Sequence, residues 1–197
     1  MSPLPLRLAV LVFHGVEILD FAGPLEVLAP LGCLLVGEAR EVTCQGGLRV
    51  LADHVVAEQP PIDVLVVPGG PGTRRPESET QPLVDYIRGQ AATAQIVASV
   101  CTGAFLLGRA GLLDGRRATT HWRWRNALAE RHPSVQLTGG RVVDAGGVVT
   151  AAGVSAGVDL GLHLVGRLQG AAAAAEAARR IEWPAPQPGM AEAGPGA

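Results

Sequence analysis

The chain has 197 residues, 16 Lys and Arg against 18 Asp and Glu for a formal charge of -2, with 48% hydrophobic and 4% aromatic residues. That length suits one globular domain, and a balanced charge without long like-charged runs argues against electrostatic nucleic-acid binding. No apolar stretch approaches the roughly 18 residues that cross a bilayer, and residues 1–8 lack a basic segment leading into an apolar core. A cytoplasmic protein with neither membrane nor nucleic-acid partner is the expectation.

Residues 7–13 (RLAVLVF) are almost continuously apolar, which predicts a strand covered on both faces. Residues 15–20 lead into a helix over 21–31, with Pro24 in the first turn, where its missing N–H costs nothing. Short strands at 40–44 and 48–52 follow, joined through Gly46-Gly47. A second buried strand at 63–67 (DVLVV) is stopped by Pro68-Gly69-Gly70-Pro71-Gly72. An amphipathic helix over 82–92 precedes a third buried strand at 95–100 (QIVASV), which ends at Cys101. Helix 102–113, a turn at Asp114-Gly115, a strand at 117–120 and a helix over 122–131 come next, with Pro133 as a stop. Strands at 141–143 and 148–152 form a hairpin. Ser155 is expected to cap an apolar helix running to about Leu168, and residues 171–181 form an Ala-rich one. Strands alternating with helices predict an α/β fold with a mostly parallel sheet. The sequence reads as one domain over 1–188, with a Pro/Gly tail from Pro184 expected to fray and 189–197 disordered.

The three cysteines, Cys33, Cys44 and Cys101, form an odd set without zinc-site or disulfide spacing. Cys33 and Cys44 read as small buried hydrophobes. Cys101 differs, because I-V-A-S-V-C-T-G-A-F-L-L (96–107) is a buried strand, one nucleophilic residue, small residues and a helix. This is the form of a nucleophile elbow, which strains its central residue and exposes it at the C-terminal sheet edge, where open α/β sheets bind ligands. A helix N-terminus behind the sulfur favours a thiolate. Gly69 and Gly70 at the next strand end, with Thr102, can offer N–H groups to a developing negative charge. Glu17 and Asp20 follow the first strand. Asp20 is either an N-cap or an acid facing the thiol with a raised pKa, and both are compatible. Neither a phosphate-binding glycine motif nor metal-ligand histidine spacing is present, so no metal is expected.

Together E-I-L-D-F-A-G-P (17–24), V-V-P-G-G-P-G (66–72), the segment from Ser99 to Trp122 containing C-T-G and A-T-T-H-W, and A-A-G-V-S-A-G-V-D-L (151–160) resemble the ThiJ/PfpI superfamily, the class I glutamine-amidotransferase-like group, over nearly the whole chain. The resemblance implies a flavodoxin-like αβα sandwich, a homodimer, a small-molecule substrate and no cofactor. It implies Cys101 as nucleophile with Asp20 as its acidic partner, and Gly69, Gly70 and Thr102 lining an oxyanion pocket. The acidic position is often Glu in the superfamily, so Asp20 marks a subgroup. The protease branch has His directly after the cysteine, where this chain has Thr102, which argues against peptidase activity. Histidine near the active site in several members places His121 as a candidate pocket residue. The W-R-W-R at 122–125 reads as a helix start with core tryptophans rather than a nucleic-acid contact. Residues 153–155 are expected to border the pocket.

Within the superfamily the motifs are similar to isocyanide hydratase, and equally to the sensor domain of AraC-type regulators. Three readings follow: a hydratase turning an isocyanide into an N-substituted formamide, a glyoxalase- or deglycase-like enzyme acting on small aldehydes, and a non-catalytic ligand or redox sensor. No helix-turn-helix region follows the domain, so a free-standing hydratase is the leading expectation.

Overall fold

The computed structural model describes residues 6–184, so the tail expected at 189–197 lies outside the described residues. In chain order the elements are β1 (Leu8–Val12), α1 (Ile18–Leu28), β2 (Leu34–Gly37), β3 (Glu41–Thr43), β4 (Arg49–Leu51), β5 (His54–Val55), β6 (Val64–Val67), α2 (Glu77–Ala91), β7 (Ile96–Val100), α3 (Gly103–Arg109), β8 (Arg117–Ala118), α4 (Arg125–Arg131), β9 (Gln136–Leu137), β10 (Val142–Asp144), β11 (Val148–Ala151), α5 (Ala156–Gln169) and α6 (Ala171–Arg180).

Seven strands form the main sheet in the order β10-β11-β7-β6-β1-β2-β5, parallel except for the β10–β11 hairpin at one edge. Helices flank it in the flavodoxin-like manner, α1 packing on α5 and α2 on α3. Every residue of β1, β6, β7 and β11 is buried, so their apolar runs, interrupted only by Ser99 and Thr150, are the sequence form of strands covered on both faces. Each buried Leu, Val or Ile contributes about 1.5–3 kcal/mol relative to exposure. The parallel strands bring their C-terminal ends to one edge. There the first turn of α1 and the loops after β6 and β7 deliver Asp20, Gly69 and Cys101.

Helix α1 begins three residues before the expected Phe21, at Ile18, with Glu17 in the N-cap position. Asp20 therefore lies in the first turn and caps nothing, and Pro24 sits well inside the helix. Its ring is accommodated by Gly157 of α5, where a Cβ would come within 2.9 Å of Pro24 Cδ. Likewise α2 begins at Glu77, so Pro82 is interior, while α3 ends at Arg109 rather than running to residue 113. Ser155 makes no capping bond at α5; its hydroxyl accepts from Arg141 at 3.0 Å, while Arg141 also pairs with Asp159. Arg141 O also accepts the Ala152 N–H at 2.9 Å, so this residue ties both ends of residues 152–155 together. Among the described residues no helix is long and apolar enough to cross a membrane.

Candidate active site

Cys101 follows β7 with φ +56°, in the left-handed region that a non-glycine residue enters only when its surroundings hold it there. Its N–H is held by Ala152 O at 2.8 Å and Ala151 O at 3.1 Å at the end of β11, and its carbonyl accepts from Thr120 Oγ1 at 2.7 Å. The elbow is thus pinned from the neighbouring strand, and only 7% of the residue is exposed. The Thr102 and Val154 N–H groups and the Asp20 carboxyl face the sulfur. Val154 is β-branched and nevertheless has φ +43°, which turns its N–H toward the sulfur. Of residues 153–155, Val154 lines the pocket over Cys101 and Gly153 the cavity beside it, while Ser155 lines neither, and nothing in an apolar Val announces a backbone donor.

Asp20 reaches inward from the first turn of α1 and is fully buried. Its Oδ2 accepts the Gly69 N–H at 3.0 Å, while Oδ1 has no hydrogen bond of normal geometry. Gly70 donates its N–H to Thr102 Oγ1 at 2.9 Å. Both loop N–H groups expected to face a developing charge are therefore engaged with Asp20 and Thr102. The donors at the sulfur are Thr102 and Val154. Only glycine fits at position 69, since a Cβ would lie 2.5 Å from Thr102 N and 2.8 Å from Asp20 Oδ2.

Burial pushes the Asp20 pKa up to about 7, against the Gly69 N–H and the thiol, which pull it down. Burial first, and then the negative charge of Asp20, push the Cys101 thiol up to about 12. With Asp20 ionised the sulfur keeps its proton, contrary to the expected standing thiolate. The two groups hold one mobile proton between them and titrate as a pair.

The raised Asp20 pKa has a stability consequence. The native protein binds this proton more tightly than the unfolded chain, whose value is near 3.8. The stability it contributes is present below about pH 4 and is lost as pH rises toward about 7. Asp20→Asn keeps an acceptor for Gly69 and removes the buried charge. Its melting temperature should gain on wild type by more at pH 8 than at pH 5, and equal gains at both would overturn the assignment.

A pocket of about 170 Å³ opens over the sulfur, lined by Glu17, Arg74, Cys101, His121, Trp124 and Val154. His121 thus lies in the pocket. Its Nδ1 accepts the Arg123 N–H at 3.2 Å, and burial with nearby Arg123 lowers its pKa, so it is neutral at pH 7. An adjoining cavity of about 260 Å³ shares His121 and Val154 and continues along Arg125 and Arg141. The tryptophans are not both core residues as expected. Trp124 packs edge-on to Phe105 at 6.5 Å, but Trp122 is 76% exposed and stacks on His121 at the edge of the adjoining cavity. Among the described residues no three His, Cys, Asp or Glu side chains converge as metal ligands would.

Residues 6–167 match the model of the DJ-1/PfpI family. The chain belongs to this family. Isonitrile hydratase of Pseudomonas putida is 39% identical over 188 residues, covering 92% of this chain and 80% of that protein. The HTH-type transcriptional regulator GbdR of Pseudomonas aeruginosa is 34% identical over 133 residues, 68% of this chain but 36% of the regulator. The solved structure of a ThiJ/PfpI family protein from Pseudomonas syringae superposes with TM-score 0.83 at 33% identity, covering 96% of this chain and 81% of that one. In this DJ-1/PfpI chain the elbow residue is Cys101, and the acid beside it is Asp20.

Proposed function

We propose that the protein is a cysteine-dependent hydratase that adds water to an isocyanide to give an N-substituted formamide. The observation that carries this reading is the buried Cys101–Asp20 pair, with Cys101 held in the left-handed region at the end of β7 and the Thr102 and Val154 N–H groups facing its sulfur. The similarity to isonitrile hydratase supports the same chemistry.

An isocyanide carbon accepts a nucleophile and a proton in turn, which suits such a pair. Asp20 takes the thiol proton as Cys101 forms an S–C bond to the terminal carbon, then returns that proton to the same carbon, leaving a thioimidate. The Thr102 and Val154 N–H groups stabilise the sulfur while it is negative. Water then adds to the thioimidate carbon and its nitrogen is protonated. Collapse of the adduct breaks the C–S bond, releases the formamide and returns a proton to sulfur through Asp20. The sum is isocyanide plus water to formamide, with no other reactant. His121, neutral and beside the sulfur, positions the substrate substituent.

The test is formamide formation from an aryl isocyanide by the purified protein, with methylglyoxal consumption measured in parallel. Formamide production with no methylglyoxal turnover supports the hydratase. Methylglyoxal turnover alone would transfer the site to aldehyde chemistry. The likeness to a transcription regulator favours a second reading as a ligand sensor, which gains if neither compound turns over while the isocyanide still raises the melting temperature.

A further inference from the structure

A wider cleft of about 540 Å³ shares Arg74 with the thiol pocket and is lined by Arg74, Arg75, Arg109, Arg131, His132 and Phe105. Arg75 is neutralised by Glu38, at 2.5 and 3.1 Å. The other three guanidiniums are held by neutral groups. Arg109 donates to Thr80 Oγ1 at 2.5 Å, Gln81 Oε1 at 3.0 Å and Glu77 O at 3.3 Å. Arg74 lies 4.4 Å over the Trp124 ring and donates to Gly70 O at 3.3 Å, and Arg131 lies 5.5 Å over the Phe105 ring. Among the described residues no ion pair joins any of these three to a carboxylate. Glu77 is the single acidic residue on the cleft wall.

Three fixed cations facing one cavity repel one another, and an anion between them removes that cost. Each guanidinium comes from a different element: the loop after β6, α3 and the end of α4. A planar carboxylate is satisfied by one arginine fork, whereas a tetrahedral dianion has enough acceptors for several. The cleft is larger than the bare ion, so an attached carbon skeleton has room against Phe105. The inner wall also touches the thiol site. Thr73 lines the cleft and donates to Thr102 Oγ1 at 3.0 Å, next to Cys101.

We propose that this cleft is a binding site for a small phosphate-class anion, held by Arg74, Arg109 and Arg131 beside the thiol pocket. It does not rest on the hydratase reading, because its test reads binding alone.

The experiment is calorimetric titration of the full chain with inorganic phosphate, at ionic strength held constant with chloride, and separately with glycerol 3-phosphate. Saturable binding is expected, and the tighter of the two probes tells free phosphate from a phosphomonoester. Arg131→Gln should weaken binding about tenfold, the size of one charged hydrogen bond. Arg179→Gln, an exposed arginine of α6 remote from the cleft, should leave it within about twofold. If Arg131→Gln melts early, Arg74→Gln replaces it. No saturable binding at fixed ionic strength, equal weakening by Arg179→Gln, or unchanged affinity in the cleft variant overturns the proposal.

Discussion

Cys101→Ala is expected to reduce formamide formation to the uncatalysed background, and Asp20→Asn to lower kcat by about 10²–10⁴-fold, the usual contribution of a positioned acid–base group. The two variants fail for different reasons. Without the sulfur no covalent adduct forms. Without the carboxylate the thiol, already held near 12, has no base to release its proton. The pH profile separates the roles. Asp20 must begin ionised to accept that proton, so wild-type kcat/KM should fall as pH drops below about 7, where the carboxyl is protonated. Asp20→Asn should lose that limb while retaining slow alkylation of Cys101 at high pH. A profile flat through pH 7 in the wild type would remove Asp20 from the proton path.

Gly103→Ala is expected to lower the melting temperature by roughly 2–12 °C, from about 1–3 kcal/mol of overpacking in a chain of this size. Gly103 opens α3 directly behind the elbow, and a Cβ there would lie 2.1 Å from Val67 O and 2.8 Å from Pro68 O. Both obstacles are backbone at the end of β6, so relief requires moving α3 or the strand. Gly89 in α2 provides the contrast. Its Cβ would meet nothing nearer than Gln59 Oε1 at 3.9 Å, so Gly89→Ala should raise stability by about 0.5–1 kcal/mol through helix propensity. Thermal unfolding of the two variants beside wild type decides it, and equal shifts would refute the packing argument.

The buried parallel strands and the elbow were legible in the sequence because both leave local patterns. β1, β6 and β7 are apolar runs closed by turn residues, and Cys101 stands between one such run and small helix formers. Helix starts misled wherever proline lay inside. Pro24 and Pro82 pull a reading toward the first turn, yet interhelical space at Gly157 admits Pro24 deeper in α1. The short β2, β5 and β9 have no closed pattern of their own and exist through pairing with β1, β2 and β8. At the site, Asp20 and His121 were visible as residue types. Backbone work was not: the Val154 donor depends on a positive φ, the engagement of Gly69 on where α1 brings Asp20, and that of Gly70 on the Thr102 side chain across the fold. The arginine cleft was equally hidden, because Arg74, Arg109 and Arg131 are far apart in the chain and meet only across the fold.

The pinning of Cys101 from β11 also bears on the order in which the protein is made. A nascent chain that has emerged only as far as α4 contains β6, β7 and the elbow sequence, but not Ala151, Ala152 or Val154. Without those acceptors and that donor its cysteine should behave as an ordinary thiol, open to solvent and to oxidants. Only when the last strand docks against β7 does the backbone lock into the left-handed region and the sulfur withdraw beside Asp20. The interval between synthesis of the elbow and arrival of its clasp is the period when this thiol is chemically unguarded.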